Sequence, residues 1–319
     1  MAKLIQLKLS QIKYGGDSIG EDIRIEIECL NHSFSLSKRI KNNSAVTIDA
    51  EIGQFFLDQA SSQLILNIKI IEQDLIFNDV GSKEVKITVD LRNGTSTQVS
   101  THEIMVKELR GLFPSRSTAI FFVTIEAVVT EATRYVPNTP DGWLVGKRVD
   151  TKTLVSLPAY LKVRFDRVEL KREYFTIMEG SSQGIQISVG LDGDASRLLQ
   201  ENPQTGTVSM KYSIAKKALR IQNKTYLATD DPNAKWKTGL YDIEIPDAPH
   251  RGGLYYPETK YGKVWFRVGH SGDRFIHTGR HSLGCITLIE QNQWDDLCQT
   301  LMKARKGDGK SIGMLEIID

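Results

Sequence analysis

Apolar and polar residues alternate with a period of two through much of the first 133 positions. In KLIQLKLSQI the apolar set is Ile5, Leu7 and Leu9, and in EDIRIEIECL it is Ile23, Ile25, Ile27 and Cys29. QLILNIKII repeats the pattern with Leu64, Leu66, Ile68 and Ile70, and KEVKITVDL with Val85, Ile87, Val89 and Leu91. Successive side chains of a strand point to opposite faces. Alternation with Lys, Glu and Gln between therefore predicts strands packed on one side and wet on the other. AIFFVTIEAVV, residues 119–129, is a more continuous apolar run and is expected as a central strand. YGGDS and RNGTS supply turn chemistry between the runs. Strands at this spacing predict an antiparallel β-sandwich over residues 1–133.

Residues 134–160, RYVPNTPDGWLVGKRVDTKTLVSLPAY, carry three prolines and little periodicity, which predicts a linker or strap. Strand-like runs resume at LKVRFDRVEL and GIQISVG, so residues 134–204 read as a linker with connecting strands. From 205 to 319 the pattern predicts a second β-rich domain. VSMKYSIAKKALRIQNKTYLAT gives short strands with a turn at Gln222-Asn223-Lys224. KWKTGLYDIEIPD gives an alternating strand with Tyr241, Ile243 and Ile245, and KVWFRVG gives another. One helix follows, with Asn292 as N-cap and Trp294, Leu297, Cys298, Leu301 and Met302 on one apolar stripe. Cys298 on that stripe reads as a small core residue. The expected fold is mostly β: an N-terminal antiparallel sandwich and a C-terminal mixed-β domain with a short helix.

Composition narrows the function classes. Across 319 residues, 41 basic and 39 acidic side chains leave a net charge of +2, no global electrostatic reason to expect nucleic acid. No apolar run reaches the length of a transmembrane helix. The start, MAKLIQLKLSQIKYGGDSIG, alternates instead of forming a continuous apolar core, so no secretory leader is expected and synthesis is placed in the cytoplasm. Three cysteines, Cys29, Cys285 and Cys298, without a CxxC pair argue against a disulfide framework and a cysteine-rich zinc site. DGDAS, from Asp192 to Ser196, fails as an EF-hand loop, because its sixth and twelfth positions hold Arg197 and Pro203 instead of Gly and Glu. Neither a metal nor an organic cofactor is expected.

One stretch carries chemistry: FIHTGRHSLGCITL, residues 275–288. A cysteine nucleophile needs a base or positive field to become thiolate, backbone N–H groups aimed at the oxyanion, and a turn that presents the sulfur. His277 is the candidate base and would sit at the end of the strand-like DRFI. Gly279 and Ser282-Leu283-Gly284 supply turns, and Gly284 would let its own N–H and that of Cys285 point outward. Arg280 would add positive field. By spacing alone, Cys285 is either such a nucleophile or a buried cysteine beside a turn.

IHTGRHSLGCITL resembles the active-site signature of the YkuD-type L,D-transpeptidases, cysteine enzymes that remodel peptidoglycan. On that resemblance His277 matches the general base, Ser282 and Gly284 the signature's serine and glycine, and Cys285 the nucleophile. KTGLYDI resembles the family's Pro-x-Gly-x-Tyr/Phe segment, with Gly239 and Tyr241 in place. The resemblance covers roughly residues 205–305. It departs at Leu283, where the family has a second histidine, at Thr287, where arginine or asparagine is frequent, and in the short gap from His277 to Cys285. It implies acyl transfer on a peptidoglycan stem peptide, as transpeptidase or carboxypeptidase, acting in the periplasm or cell wall. Thr278, Arg280, His281, His270 and Tyr241 are candidate substrate contacts. The leading sandwich loosely resembles a C2-type fold, often used for docking, though no clustered acidic loop of the calcium-binding kind is evident. Together with the missing leader, this raises the expectation of an antibacterial effector with a secretion-machine or immunity partner. The rival expectations are a cysteine peptidase acting on ordinary proteins and a non-catalytic docking protein.

Overall fold

In the computed structural model, which describes residues 2–30, 32–57, 61–74, 78–91, 95–110 and 113–319, the chain divides into two compact units, Met1–Ala132 and Thr133–Asp319. The expected turn at RNGTS falls on residues 92–94, outside the described residues.

Among the described residues, the first unit holds eight strands: β1 (Lys3–Gly16), β2 (Asp22–Cys29), β3 (His32–Arg39), β4 (Ser44–Leu57), β5 (Ser61–Glu72), β6 (Asp79–Asp90), β7 (Ser96–Arg110) and β8 (Phe113–Glu131). They form two antiparallel sheets, ordered β4-β1-β8-β7 and β3-β2-β5-β6. The alternating residues read from the sequence, Ile5 through Leu91, are buried in one core with Phe121, Val123 and Ile125 of β8. β8 lies between β1 and β7 as a central strand. A one-residue slip would turn every core side chain outward, so the alternation itself sets the register.

β5 ends and β6 begins opposite each other, with Glu72 paired to Asp79 across the ladder. Together with Asp74 in the connection, they place carboxylate oxygens within 4.8 Å of one another. Glu72 and Asp79 are strand residues and Asp74 alone lies in the connection, so the cluster is made by strand pairing, invisible in a linear pattern, and is not a calcium-type acidic loop. Burial, then the neighbouring carboxylates Asp74, Asp79, Asp22 and Glu108, push Glu72 up to about 7.

The second unit begins with β9 (Thr133–Tyr135), β10 (Trp143–Arg148), β11 (Leu154–Pro158), β12 (Lys162–Glu169), β13 (Arg172–Ile177) and β14 (Gln186–Gly190). These six form one sheet, ordered β11-β10-β14-β13-β12-β9. Residues 134–160 are thus folded strands where a linker was expected. The prolines hid them: Pro137 and Pro140 lie between β9 and β10, and Pro158 ends the edge strand β11, positions where a missing N–H does no harm.

The remainder adds β15 (Val208–Ser213), β16 (Ala218–Ile221), β17 (Lys224–Thr229), β18 (Gly239–Glu244), β19 (Phe266–Arg267), β20 (Phe275–Thr278), β21 (Ile286–Leu288), α1 (Trp294–Lys303) and β22 (Ser311–Ile318). Its eight-stranded sheet runs β18-β22-β15-β16-β17-β21-β20-β19. The sheet is mixed, with β15–β22 and β20–β21 parallel. Its two ends nearly meet, since Ile243 bridges Val268 and the Gly269 N–H donates to the Asp242 carbonyl at 2.7 Å. Helix α1 buries Trp294, Leu297, Cys298, Leu301 and Met302, as its stripe predicts. Its N-cap is Gln293. Asn292 belongs to a preceding 3-10 turn, Gln291–Gln293, which starts the coil earlier than the apolar stripe does. Cys298 is fully buried. DGDAS is a polar turn in which Asp192 and Ala195 exchange backbone hydrogen bonds. No helix among the described residues is long and apolar enough to cross a membrane.

Candidate functional site

The site is built by two very short parallel strands. In their register Ile276 faces Ile286, His277 faces Thr287 and Thr278 faces Leu288. Parallel neighbours usually need a crossover of about a dozen residues. Here residues 279–285 suffice, because β20 is only four residues long and β21 three. Cys285 immediately precedes β21, on the same side of the strand as Thr287 by the period of two. Phe275, His277, Thr287 and Cys285 thereby come to one face. His277 lies inside β20 and not at its end, since pairing to β21 extends the strand to Thr278.

Cys285 and His277 line a common cavity of about 700 Å³. Both are nearly closed off, at 7% and 5% exposure, so each meets the cavity over only a small part of its surface. The His277 Nδ1 lies 2.8 Å from the Thr278 carbonyl oxygen. A carbonyl only accepts, so Nδ1 carries the proton, and Nε2 keeps a basic lone pair. That lone pair accepts from the Thr287 hydroxyl at 3.1 Å. Burial pulls His277 down to about 4, partly opposed by the bond to Thr278, so the imidazole is neutral at pH 7. The Cys285 thiol donates to the Asp273 carbonyl at 3.8 Å. Burial pushes this thiol up, while the Phe275 backbone and Arg274 pull it down and Asp273 pushes it up. The resting pair is neutral thiol and neutral imidazole.

Of the other expected site residues, Thr278, Gly279, Arg280 and His281 line the same cavity. Thr278 is buried and donates its hydroxyl to the Leu288 carbonyl at 3.1 Å, so it locks β20 to β21. Arg280 is exposed, with its guanidinium 5.9 Å from the Tyr256 ring centroid. The cation that acts on the thiol is Arg274, in place of the expected Arg280, because the turn carries Arg280 out to the rim. Ser282 staples the turn: its hydroxyl donates to the Cys285 carbonyl at 2.7 Å and accepts the Gly284 N–H at 3.3 Å. The Gly284 N–H, expected as an oxyanion donor, is therefore engaged within the turn. Gly284 sits at φ +106°, where a side chain would be strained, and an added Cβ would lie 3.2 Å from Ala234. Leu283 is 92% exposed on the cavity's rim, where the resembled family has histidine.

Two expected contacts are not brought to the cavity. Tyr241 is on β18 and donates its hydroxyl to the Lys237 carbonyl at 2.9 Å. His270 faces Asp242 at 3.5 Å and Glu244 at 3.8 Å, in a surface ion cluster with Lys306. Tyr241 pairs with Leu315 of β22, and His270, in the turn between β19 and β20, is held by carboxylates of β18, so neither lines the cavity. Sequence reading missed His250 and Trp265, which stack in turn beyond His277. The signal for Trp265 was present in KVWFRVG, read only as a strand; His250, in a Pro-His-Arg-Gly turn, offered none. Among the described residues, the metal-competent grouping is Glu72, Asp74 and Asp79 in the first unit, and none surrounds Cys285.

No family model matches the sequence. No curated protein matches it either. Among solved structures, a C2 domain is similar over 40% of this chain and 97% of its own, at 13% identity and a TM-score of 0.24. Human GIVD cytosolic phospholipase A2, with a fluorophosphonate inhibitor and terbium chloride, is similar over 68% of this chain and 42% of its own, at 10% identity and a TM-score of 0.27. The same human phospholipase without them gives 67%, 38%, 8% identity and 0.26. The chain thus spans less than half the length of the phospholipase. Likeness at this level assigns neither fold nor activity.

Proposed function

We propose that the second unit is a cysteine acyl transferase acting on peptidoglycan stem peptides, as L,D-transpeptidase or L,D-carboxypeptidase. The observation that carries this reading is the convergence of Cys285 and a neutral His277, its tautomer set by the Thr278 carbonyl, on one cavity of about 700 Å³. The substrate class comes from the resemblance of IHTGRHSLGCITL to the YkuD-type signature.

Thr287 first releases Nε2, and His277 then takes the Cys285 proton there. The sulfur attacks the carbonyl carbon of the residue preceding a D-amino acid. The C–N bond breaks, and His277 returns its proton to the leaving amine. The thioester is opened by an amine, giving a crosslink or exchange, or by water, giving a shortened stem. The Cys285 N–H is the candidate oxyanion donor, since the turn consumes that of Gly284.

Mass spectrometry of muropeptides incubated with the full chain and with Cys285→Ala tests the reading. Loss or exchange of a terminal D-residue is expected with the wild type alone. No change across several stem lengths would leave a scaffold without this chemistry. Toxicity on periplasmic delivery, lost in Cys285→Ala, would extend the reading to an antibacterial effector.

A further inference from the structure

We propose that Trp265 is a positioning residue: its indole face stabilises the imidazolium that His277 becomes on taking the Cys285 proton, with His250 bracing the opposite face. The inference rests on the nucleophile–base reading above and adds a participant that no motif in the sequence marks.

Three rings form one stack. Trp265 lies 3.7 Å from His277, centroid to centroid, with planes 8° apart. His250 covers the other indole face at 3.6 Å and 4°. Phe275 meets His250 edge-on at 4.9 Å and Trp265 at 5.7 Å. The indole is anchored by its Nε1–H, which donates to the Gly262 carbonyl at 3.0 Å. His250 is anchored too, since its Nδ1 accepts the Gly252 N–H at 3.1 Å, which puts its own proton on Nε2. All three rings line the cavity that holds Cys285.

The proton transfer needs such help. The S–H bond breaks, its electron pair stays on sulfur, and an N–H bond forms at Nε2. Two neutral buried groups thus become a thiolate and an imidazolium, both of which burial disfavours. An indole carries the strongest negative face among aromatic side chains and attracts a cation placed over it. His277 already lies over that face, so the attraction grows as the charge forms and requires no rearrangement.

His250 sets the limit on this device. Neutral, it leaves the indole to His277 alone. Protonated, it places a second cation on the same ring, and the two histidines then titrate as a coupled pair. Burial, with Arg267, lowers His250 and keeps it neutral further into the acid range, although Asp247 and Asp273 favour its charged form. Arg274 and Asp273 act on Cys285 itself. Transfer therefore weakens on the acid side once His250 charges.

Alkylation of Cys285 by iodoacetamide reads this step without any muropeptide: the thiolate displaces iodide, and His277 gives its proton to buffer. The rate is followed by peptide mapping of the full chain across pH for wild type, Trp265→Leu and Trp265→Phe, each also in a His277→Gln background. Trp265→Leu is expected to slow alkylation about tenfold at pH 7 and move its pH profile upward, with Trp265→Phe between. In the His277→Gln background neither change should slow it further. Equal slowing in both backgrounds, or none in either, would overturn the proposal while leaving the nucleophile–base reading in place. If His277→Gln alone left the rate unchanged, that reading would fall and this inference with it. Should Trp265→Leu not fold, Trp265→Phe in the two backgrounds carries the same comparison.

Discussion

The sandwich and the cavity-bearing unit both bury ionisable groups, yet they surround them differently. In the sandwich, Glu72 is almost fully buried against Asp74 and Asp79, with like charges as its neighbours. In the second unit, His277 is just as enclosed, but its ring nitrogens are committed to Thr278 and Thr287 and its face to Trp265. Burial disfavours the charged form in both, raising the acid and lowering the base. His277 also opens on a cavity that Cys285 lines. A perturbed ionisable group becomes a functional candidate through its surroundings, and the shift alone does not distinguish the two sites.

The largest effect expected from a single change lies in the backbone that frames the cavity-bearing sheet. A Cβ on Gly313 would stand 1.9 Å from the Val208 carbonyl oxygen, across the parallel β15–β22 pair. Gly313→Ala should cost about 3 kcal/mol or more. Tryptophan fluorescence in a denaturant titration checks this, because all four tryptophans, Trp143, Trp236, Trp265 and Trp294, belong to the second unit. An unchanged midpoint would show that the sheet yields at that contact.

Next in size is the opposite pH response of the two buried groups. The fold holds Glu72 protonated up to about 7 against an ordinary 4.5, so the folded state keeps an extra proton in that window. This contribution to stability is present at low pH and is lost as pH rises from about 4.5 through 7. For His277 the fold lowers an ordinary 6.5 to about 4, so the unfolded chain binds the extra proton. Its contribution is present above 6.5 and is lost as pH falls toward 4, by about 3 kcal/mol in total. Glu72→Gln should flatten the alkaline loss, followed by hydrogen exchange of β5 and β6. His277→Gln should flatten the acid loss, followed by fluorescence. Loss in the same pH direction for both would break the contrast.

The smallest effect concerns the turn before Cys285. Ser282→Ala removes the donor to the Cys285 carbonyl and the acceptor for the Gly284 N–H. It should cost about 1 kcal/mol by thermal unfolding while slowing Cys285 alkylation. A slower thiol at unchanged stability would mean that the hydroxyl acts on the sulfur's setting more than on the turn's strength.

Much of the sandwich was legible in the sequence. Its strands are long and wet on one side, so the period of two survives, and Ile5 through Leu91 could be read as one core. The run 119–129 read as central because it lies within β8, between two partners. The helix stripe was equally clear, and only its first turn was misplaced. Legibility failed where strands are short or buried on both faces. β20 is buried at all four positions and β21 at all three, so neither alternates. Three prolines in residues 134–160 masked the strands of a sheet.

By itself the sequence determined the mostly β class, the faces of the long strands, and the local group of His277, Ser282, Gly284 and Cys285, because each is a matter of neighbours within a few residues. Tertiary structure decided which distant residues share the cavity. It brought His250 and Trp265 to His277, left His270 and Tyr241 near β22, made Arg274 instead of Arg280 the cation whose charge acts on the thiol, and gathered Glu72, Asp74 and Asp79 at the β5–β6 junction. Those outcomes follow from strand order and register, which depend on pairing between segments far apart in the chain and leave no local pattern to read.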